Sequence, residues 1–365
     1  MYRILISGYY GFNNIGDESI LSAVISNLRE KLTDIQITVL SQDPESTSQK
    51  YDVKSVNRKS LTSILRAVKN TDLLISGGGS LLQDVTSKKS IIYYLAIMWM
   101  ALILRKKVLI YSQGIGPINS NINRRLTAWT LNKVGGIVVR DEASREYLGE
   151  IGVNTERVQV TADPVLRIKP ADRSVGAKIL SDEGIPMESG KLRVGFAIRE
   201  RKLDSDFMQE LTEAIEKLQE RYEAQVILIP FHYMEDMKVI EELERRLSGR
   251  VYCLKHKYLS SEMLSIIGNM DLLVGVRLHA LIHAAIMEVP MIGISYDPKI
   301  NSFMKSIGGK AMCSIYDFSC EDFLEEFKKT LDNREVIRSQ RAERLSELKK
   351  ALEKNEEIIR GMMKR

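Results

Sequence analysis

Short apolar runs alternate with longer helical patterns along almost the whole of this chain. That rhythm restricts the fold more than any single motif does. It builds βαβ units, whose parallel strands are covered on both faces by crossover helices. In the first half, strands are expected at residues 3–7, 36–40, 73–76, 108–111, 136–139 and 158–160. Between the first two, Ile20, Leu21, Val24, Ile25 and Leu28 recur at helical spacing within residues 17–31. The rhythm pauses between Asp163-Pro164 and Gly190, where Pro170, Gly176, Gly184 and Pro186 punctuate the chain. A linker is expected around residues 168–178. A second series follows, with strands expected at 193–197, 226–229, 251–254, 272–274 and 291–294.

A length of 365 residues suits two such domains, each with its own core. The expected architecture is α/β: two Rossmann-like domains facing each other across a cleft, as in GT-B enzymes, with ligands at the carboxyl ends of the strands. The N-terminal domain would span 1–170, the C-terminal domain 178–335, and a basic amphipathic helix 336–365. That helix repeats Leu345, Leu348, Leu352, Ile359 and Met362, a heptad-like seam interrupted by Asn355. The seam suits docking onto one of the domains or a dimer coil, which leaves the oligomeric state open.

Charge narrows the choice of partners. Lys and Arg number 53 against 48 Asp and Glu, an excess of five. Residues 334–365 hold ten basic and six acidic residues, so they alone contribute four. The nearly neutral body argues against a nucleic-acid groove. The basic tail suits either a solvated helix or an anionic membrane surface. The longest apolar run, 91–104, is fourteen residues, too short to span a bilayer. It fits a sheet-flanking helix, although Trp99 and the following Arg105-Lys106-Lys107 also suit contact with a membrane. Cys253, Cys313 and Cys320 form no CxxC pair, and the N-terminus carries no signal-peptide pattern. Free thiols in the cytoplasm are expected, with a place at the inner face of the membrane.

Two glycine-rich loops follow strands of the first half. Gly8–Glu18 reads GYYGFNNIGDE. Its spacing is not that of a dinucleotide fingerprint, and Asp17-Glu18 would repel a pyrophosphate. An aromatic and amide-rich loop suits a sugar, and Asp17 also suits a helix cap. Gly77–Asp84 reads GGGSLLQD, and Gln113–Pro117 makes a third loop at the same sheet edge. Candidate acceptor contacts are Tyr10, Asn13, Asn14, Asp17, Gly78, Gly79, Gln83 and Asp84.

Cations recur at later strand ends. Arg140 ends one strand and is followed by Asp141 and Glu142 as candidate ion-pair partners. Arg199 follows the first strand of the second half and opens the charge-dense run 199–202. The sharpest signal is Gly275-Val276-Arg277-Leu278-His279-Ala280, followed by Tyr296-Asp297-Pro298-Lys299. Arg277 and Lys299 suit a small, highly charged anion. His279 beside them could move a proton. His279 and His283 are four residues apart, but no third ligand follows, so no metal is expected.

Together, GYYGFNNIGDE, GGGSLLQD, QGIGP, Arg140-Asp141, Asp163-Pro164 and GVRLHA resemble the bacterial polysaccharide pyruvyltransferases, in the branch that modifies the secondary cell-wall polymer anchoring surface-layer proteins. The resemblance implies phosphoenolpyruvate as donor substrate, with no further cofactor. It also implies a pyruvate ketal, 4,6-linked on N-acetylmannosamine of a lipid-linked glycan. The family's donor-binding Arg, His and Lys correspond to Arg140, His279 and Lys299. Arg277 and Arg199 are further donor-binding candidates. Two rival functions stand beside this one. A nucleotide-sugar glycosyltransferase would need a carboxylate for the ribose hydroxyls, and none stands out near 275–280. A non-catalytic glycan- or anion-binding protein would hold the same ligands and release no phosphate.

Overall fold

A computed structural model of the chain describes residues 1–85, 87–187, 190–199 and 205–363. Chain contacts divide it into two units, one of residues 1–168 with 348–365 and one of residues 169–347.

The first unit contains β1 (Tyr2–Ser7), α1 (Ile15–Lys31), β2 (Ile35–Ser41), α2 (Pro44–Tyr51), β3 (Lys54–Asn57), α3 (Leu61–Lys69) and β4 (Leu73–Gly77). It continues with α4 (Lys88–Ile103), β5 (Lys107–Gln113), α5 (Asn121–Leu131), β6 (Gly136–Val139), α6 (Glu142–Glu150) and β7 (Val158–Val160). All seven strands pair in parallel, in the order β3-β2-β1-β4-β5-β6-β7. The direction of winding reverses between β1 and β4, so the loops after these two strands flank the switch point. Buried residues of α3, α4, α5 and α6 share one apolar cluster over the sheet, including Val68, Leu95, Leu131 and Leu148. The central strands β4 and β5 are buried on both faces, which is why they read as nearly continuous apolar runs.

The second unit runs from α7 (Arg173–Asp182) through β8 (Arg193–Ala197), α8 (Ser205–Tyr222), β9 (Gln225–Leu228), α9 (Tyr233–Arg246), β10 (Tyr252–Cys253) and α10 (Ser260–Ile267). Then come β11 (Leu272–Gly275), α11 (Leu278–Ile286), β12 (Met291–Ser295), α12 (Pro298–Ser306), β13 (Cys313–Ser314) and α13 (Cys320–Asp332). Its six strands follow the order β10-β9-β8-β11-β12-β13, and the winding reverses between β8 and β11. The stretch expected as linker contains the start of α7, which belongs to this unit. Gly176 lies flush on α10, where a Cβ would overlap the backbone of Ser265, and its N–H donates to Ser265 Oγ at 2.7 Å.

The basic C-terminal segment is two helices rather than one, α14 (Arg334–Ala351) and α15 (Glu353–Met363), which meet at Leu352. Residues 348–365 return to the first unit, so the heptad-like seam docks within the chain. Asn355 breaks that seam for a structural reason. It is fully buried and donates to Ser112 Oγ at 2.8 Å. Glu356 pairs with Arg167, and Lys107 donates to the Met362 carbonyl.

Candidate functional sites at two switch points

In the first unit the loops after β1 and β4 are tied together from within. Tyr10 is fully buried and donates to the Gly77 carbonyl at 2.7 Å, so it fastens one loop to the other instead of presenting a face to a ligand. Glu18 is also consumed locally, accepting from Gly11 N at 2.8 Å and from Tyr51 Oη at 2.6 Å. The cap of α1 is Asn14, whose Oδ1 accepts from Gly16 N at 3.0 Å, not Asp17. Asp84 is buried and accepts from Asn119 N, Ser120 N and Asn123 Nδ2. These bonds hold its carboxyl below the usual range against the effect of burial. It organises the entry to α5 and has no exposed face for an acceptor. Gln83 accepts from Val85 N at 2.8 Å.

Half-exposed positions remain between the loops. Asn13 sits in the left-handed region at φ 57°. The Asp17 carboxylate faces Gly79, where an added Cβ would lie 3.5 Å from Oδ1. Tyr9 and Phe12 stack face to face, with ring centroids 3.9 Å apart and planes 2° from parallel. Arg58 lies over both rings and over Tyr93 and Tyr94, and donates to the Gly8 carbonyl at 3.0 Å. The aromatic surface expected for a sugar is therefore Tyr9 with Phe12, and Tyr10 is its anchor. A lone Arg58 gave no motif to find it by.

Arg140 follows β6 and is buried. Its Nη1 meets Asp163 Oδ2 at 3.2 Å, its Nε meets Asp141 Oδ2 at 3.4 Å, and Nη2 reaches Ser80 Oγ at 3.4 Å. Both carboxylates are themselves caps. Asp141 accepts from Ser144 N, and Asp163 from Val165 N. The guanidinium is thus aimed by two helix starts and passes close over Gly114, where a Cβ would sit 2.5 Å from Nη2.

In the second unit the ends of three adjacent strands carry cations, and the end of a fourth carries a histidine. Arg199 follows β8, Arg277 follows β11, Lys299 lies beyond β12, and His232 lies beyond β9. The Arg199 guanidinium lies 4.2 Å from the centroid of the Tyr296 ring, and Lys299 Nζ lies 5.5 Å from it. One aromatic ring thereby carries two of the three cations. Arg277 forms two hydrogen bonds with Asp236, Nε to Oδ2 at 3.2 Å and Nη2 to Oδ1, and lies 3.6 Å from Glu235. Lys299 Nζ lies 3.2 Å from Asp297, the cap of α12. Arg199 differs from both. It is buried, its Nε has no hydrogen-bond partner among the described residues, and burial lowers its pKa, with Arg277 adding to the shift. A buried guanidinium with an open donor is the strongest sign of an incoming anion on this edge. Glu200, Arg201 and Lys202, which share its charge-dense run, lie outside the described residues.

A profile of the polysaccharide pyruvyl transferases matches residues 14–298, which include the β8/β11 switch point and, in the first unit, β4 with its glycine loop. The chain belongs to the polysaccharide pyruvyl transferase family. A relative 21% identical over 397 residues, covering 93% of this chain and 94% of its own length, is the amylovoran biosynthesis protein AmsJ of Erwinia amylovora. Two solved structures share the fold. The UDP-GlcNAc 2-epimerase of Neisseria meningitidis, bound to UDP-GlcNAc, has a TM-score of 0.68 at 14% identity and 100% coverage of both chains. The Anabaena protein HepE, in complex with UDP-glucose, has a TM-score of 0.67 at 13% identity, covering 99% of this chain and 100% of its own. Both support the α/β, GT-B-like class.

Two further features bear on this pyruvyl transferase family chain. His279 stands on the first turn of α11, partly exposed, two residues after Arg277 at the helix cap. His283, one turn on, is fully buried with its ring edge-to-face against Phe231 at 5.4 Å, a packing role. No three His, Cys, Asp or Glu side chains gather as a metal set among the described residues. The carboxylates that the sequence near 275–280 did not reveal come from α9. Asp236 is fully buried and also accepts from Phe231 N and His232 N, while Glu235 is exposed.

Proposed function

We propose that the chain transfers the pyruvyl group of phosphoenolpyruvate to a sugar of a lipid-linked cell-wall glycan, forming a cyclic ketal and releasing phosphate. The observation that carries this reading is the cation cluster at the β8/β11 switch point. Arg199 and Lys299 lie over the Tyr296 ring, Arg277 lies near enough to Arg199 to disfavour its charge, and His279 stands on the first turn of the helix that Arg277 caps. Phosphoenolpyruvate presents a carboxylate and a phosphate on three carbons, and this cluster offers charge for both ends. His279 would protonate the methylene carbon, leaving positive charge at C2. One sugar hydroxyl attacks C2 and loses its proton, and the C2–O bond to phosphate breaks with its electron pair leaving on phosphate. A second hydroxyl closes the ketal and gives up its proton in turn. Arg140 is assigned to the donor through the family resemblance, with Asp141 and Asp163 fixing its direction.

The acceptor falls to the first unit, with Tyr9, Phe12, Asn13, Gly78 and Gly79 as its contacts and Asp17 as the candidate base. The acceptor assigned by resemblance is N-acetylmannosamine of the secondary cell-wall polymer. No metal or organic cofactor is assigned. The test is phosphate release from phosphoenolpyruvate against a panel of lipid-linked disaccharides, for the native chain and for His279→Ala. Acceptor-dependent release in the native chain alone is the expected result, and equal turnover in the variant would remove His279 as the acid. One observation favours a second reading: exposed Glu235 beside Arg277 could hold ribose hydroxyls. Inhibition by UDP-sugars without any by phosphoenolpyruvate would replace the first reading with a nucleotide-sugar transferase.

A further inference from the structure

From Val53 to Arg140 the sequence holds only two acidic residues, Asp72 and Asp84, against fourteen Lys and Arg. Neither acid is available on the surface helices. Asp72 pairs with Arg3 at the start of β4, and Asp84 is buried. The helices α3, α4 and α5 all fall within this stretch and lie side by side on one face of the first unit's sheet. Tyr93 of α4 donates to the Arg58 carbonyl just ahead of α3, and Trp99 Nε1 donates to Thr130 Oγ1 of α5 at 2.7 Å. None of the three helices contains an Asp or a Glu.

The same helices leave large apolar side chains in solvent. On α3, Leu61 is 66% exposed and Leu65, one turn on, is 48% exposed. On α5, Ile122 is 69% and Trp129 53% exposed, the latter with Lys133 Nζ 4.0 Å from its ring centroid. Between them, α4 carries no charged residue from Ser90 to Leu104, and its outer positions Ile92, Ala96, Trp99 and Met100 are half-exposed. Exposed leucines set among cations, with no acids, form an amphipathic surface far wider than a single helix. The N-termini of these helices follow the carboxyl ends of β3, β4 and β5, so one rim of the surface adjoins the sheet edge that carries the glycine loops.

We infer that the α3–α4–α5 face of the first unit docks on an anionic lipid bilayer. Charge decides against the simplest rival, a second copy of the same face, because two acid-free surfaces repel. Nucleic acid is disfavoured by the leucines and the uncharged α4, which offer phosphates nothing. A bilayer uses both features: its headgroup charge meets the cations, and its interface takes leucine and tryptophan. The assignment also moves the membrane-facing element away from the basic tail. There Arg338 pairs with Glu288 and Arg344 with Glu347, and α15 lies against the sheet.

The test is co-sedimentation of the full chain with phosphatidylcholine vesicles, pure or containing about a third phosphatidylglycerol. The native chain should bind the mixed vesicles, fail on pure phosphatidylcholine, and let go as salt rises. Arg66→Gln with Arg125→Gln should weaken binding about thirty-fold, and Leu61→Ser with Leu65→Ser about ten-fold. These exposed positions should leave the unfolding midpoint nearly unchanged, which separates lost docking from lost folding. Lys349→Gln with Lys350→Gln, on the tail, should bind like the native chain. Three results would overturn the inference: no binding to mixed vesicles, binding lost only in the tail variant, or binding to heparin that matches vesicle binding and ignores the leucines. Vesicle binding is read without donor or acceptor, so its failure and the failure of pyruvyl transfer are separate outcomes.

Discussion

The two units solve the same geometric problem with opposite chemistry. In each, a parallel sheet reverses its winding beside its first strand, at β1/β4 and at β8/β11. In the first unit the loops flanking that point, Gly8–Glu18 and Gly77–Asp84, contain no Lys or Arg. They offer glycine backbone, amides and the Tyr9–Phe12 stack. In the second unit the corresponding strand ends carry Arg199 and Arg277, with Lys299 at the start of the helix after the next strand over. The backbone device is shared, and the side chains decide what it holds. A stacked aromatic surface with amides around it suits a polyol, and a cation cluster around the buried Arg199 suits a small dianion.

The comparison breaks most visibly at His279. His279→Ala should cut phosphate release by about a hundred- to ten-thousand-fold, the range for a lost general acid, while leaving the donor's dissociation constant within a few-fold. A variant that instead lost donor binding with turnover per bound donor intact would make His279 a ligand rather than an acid. Next in size is Arg199→Met. Arg199 forms no salt bridge among the described residues, so its removal should weaken phosphoenolpyruvate binding by roughly ten- to a hundred-fold. Isothermal titration of the donor alone reads this directly. Arg277→Met serves as the contrast. It strands the buried Asp236 carboxylate, so it should also lower the unfolding midpoint, which Arg199→Met should not.

Much of this was legible in the sequence because strand ends are where apolar runs stop. The strands expected at 136–139, 158–160 and 193–197 match β6, β7 and β8 residue for residue. Two strands gave no signal: β3 has only Val56 as an apolar residue, and β13 is two residues long. Both sit at sheet edges, where one-sided pairing relaxes the demand for apolar side chains. Within the site, composition identified the loops but not the direction of their side chains. Tyr9 and Tyr10 are neighbours of the same type, and only the closing of the loop onto Gly77 turns one inward. The pairing of Arg277 with Asp236 joins positions 41 residues apart, and no local pattern encodes it.

Two smaller effects sharpen the first unit's half of the comparison. Gly114→Ala places a methyl against the Arg140 guanidinium without altering any charge. If Arg140 acts through its position, donor use should fall about ten-fold, the weight of one charge-assisted hydrogen bond, with unfolding free energy lowered by about 1–3 kcal/mol. An unchanged rate in a folded Gly114→Ala chain would confine Arg140 to its ion pairs with Asp141 and Asp163. Tyr9→Ala should raise the acceptor's KM by about two- to ten-fold and leave the donor's unchanged. A shift in the donor's KM instead would erase the division of labour between the units.

The smallest effect separates the units by pH. His232 is held below the usual histidine range, first by burial and then by Arg277, with Glu235 opposing. The folded chain therefore keeps this imidazole neutral where the unfolded chain would protonate it. The stability it contributes is present above about pH 6.5 and is lost as pH falls toward the lowered folded value. The depressed carboxyls, Asp72 and Asp84 in the first unit and Glu183 in the second, lose theirs only further down, as pH falls through the carboxylate range. Urea midpoints followed from neutral to mildly acidic pH should decline through the histidine range, before the carboxylates titrate. His232→Asn should flatten that upper portion and leave the lower one in place. Superimposable profiles for the two chains would mean that His232 titrates alike folded and unfolded, and that the Arg277–Asp236 pair does not press on it.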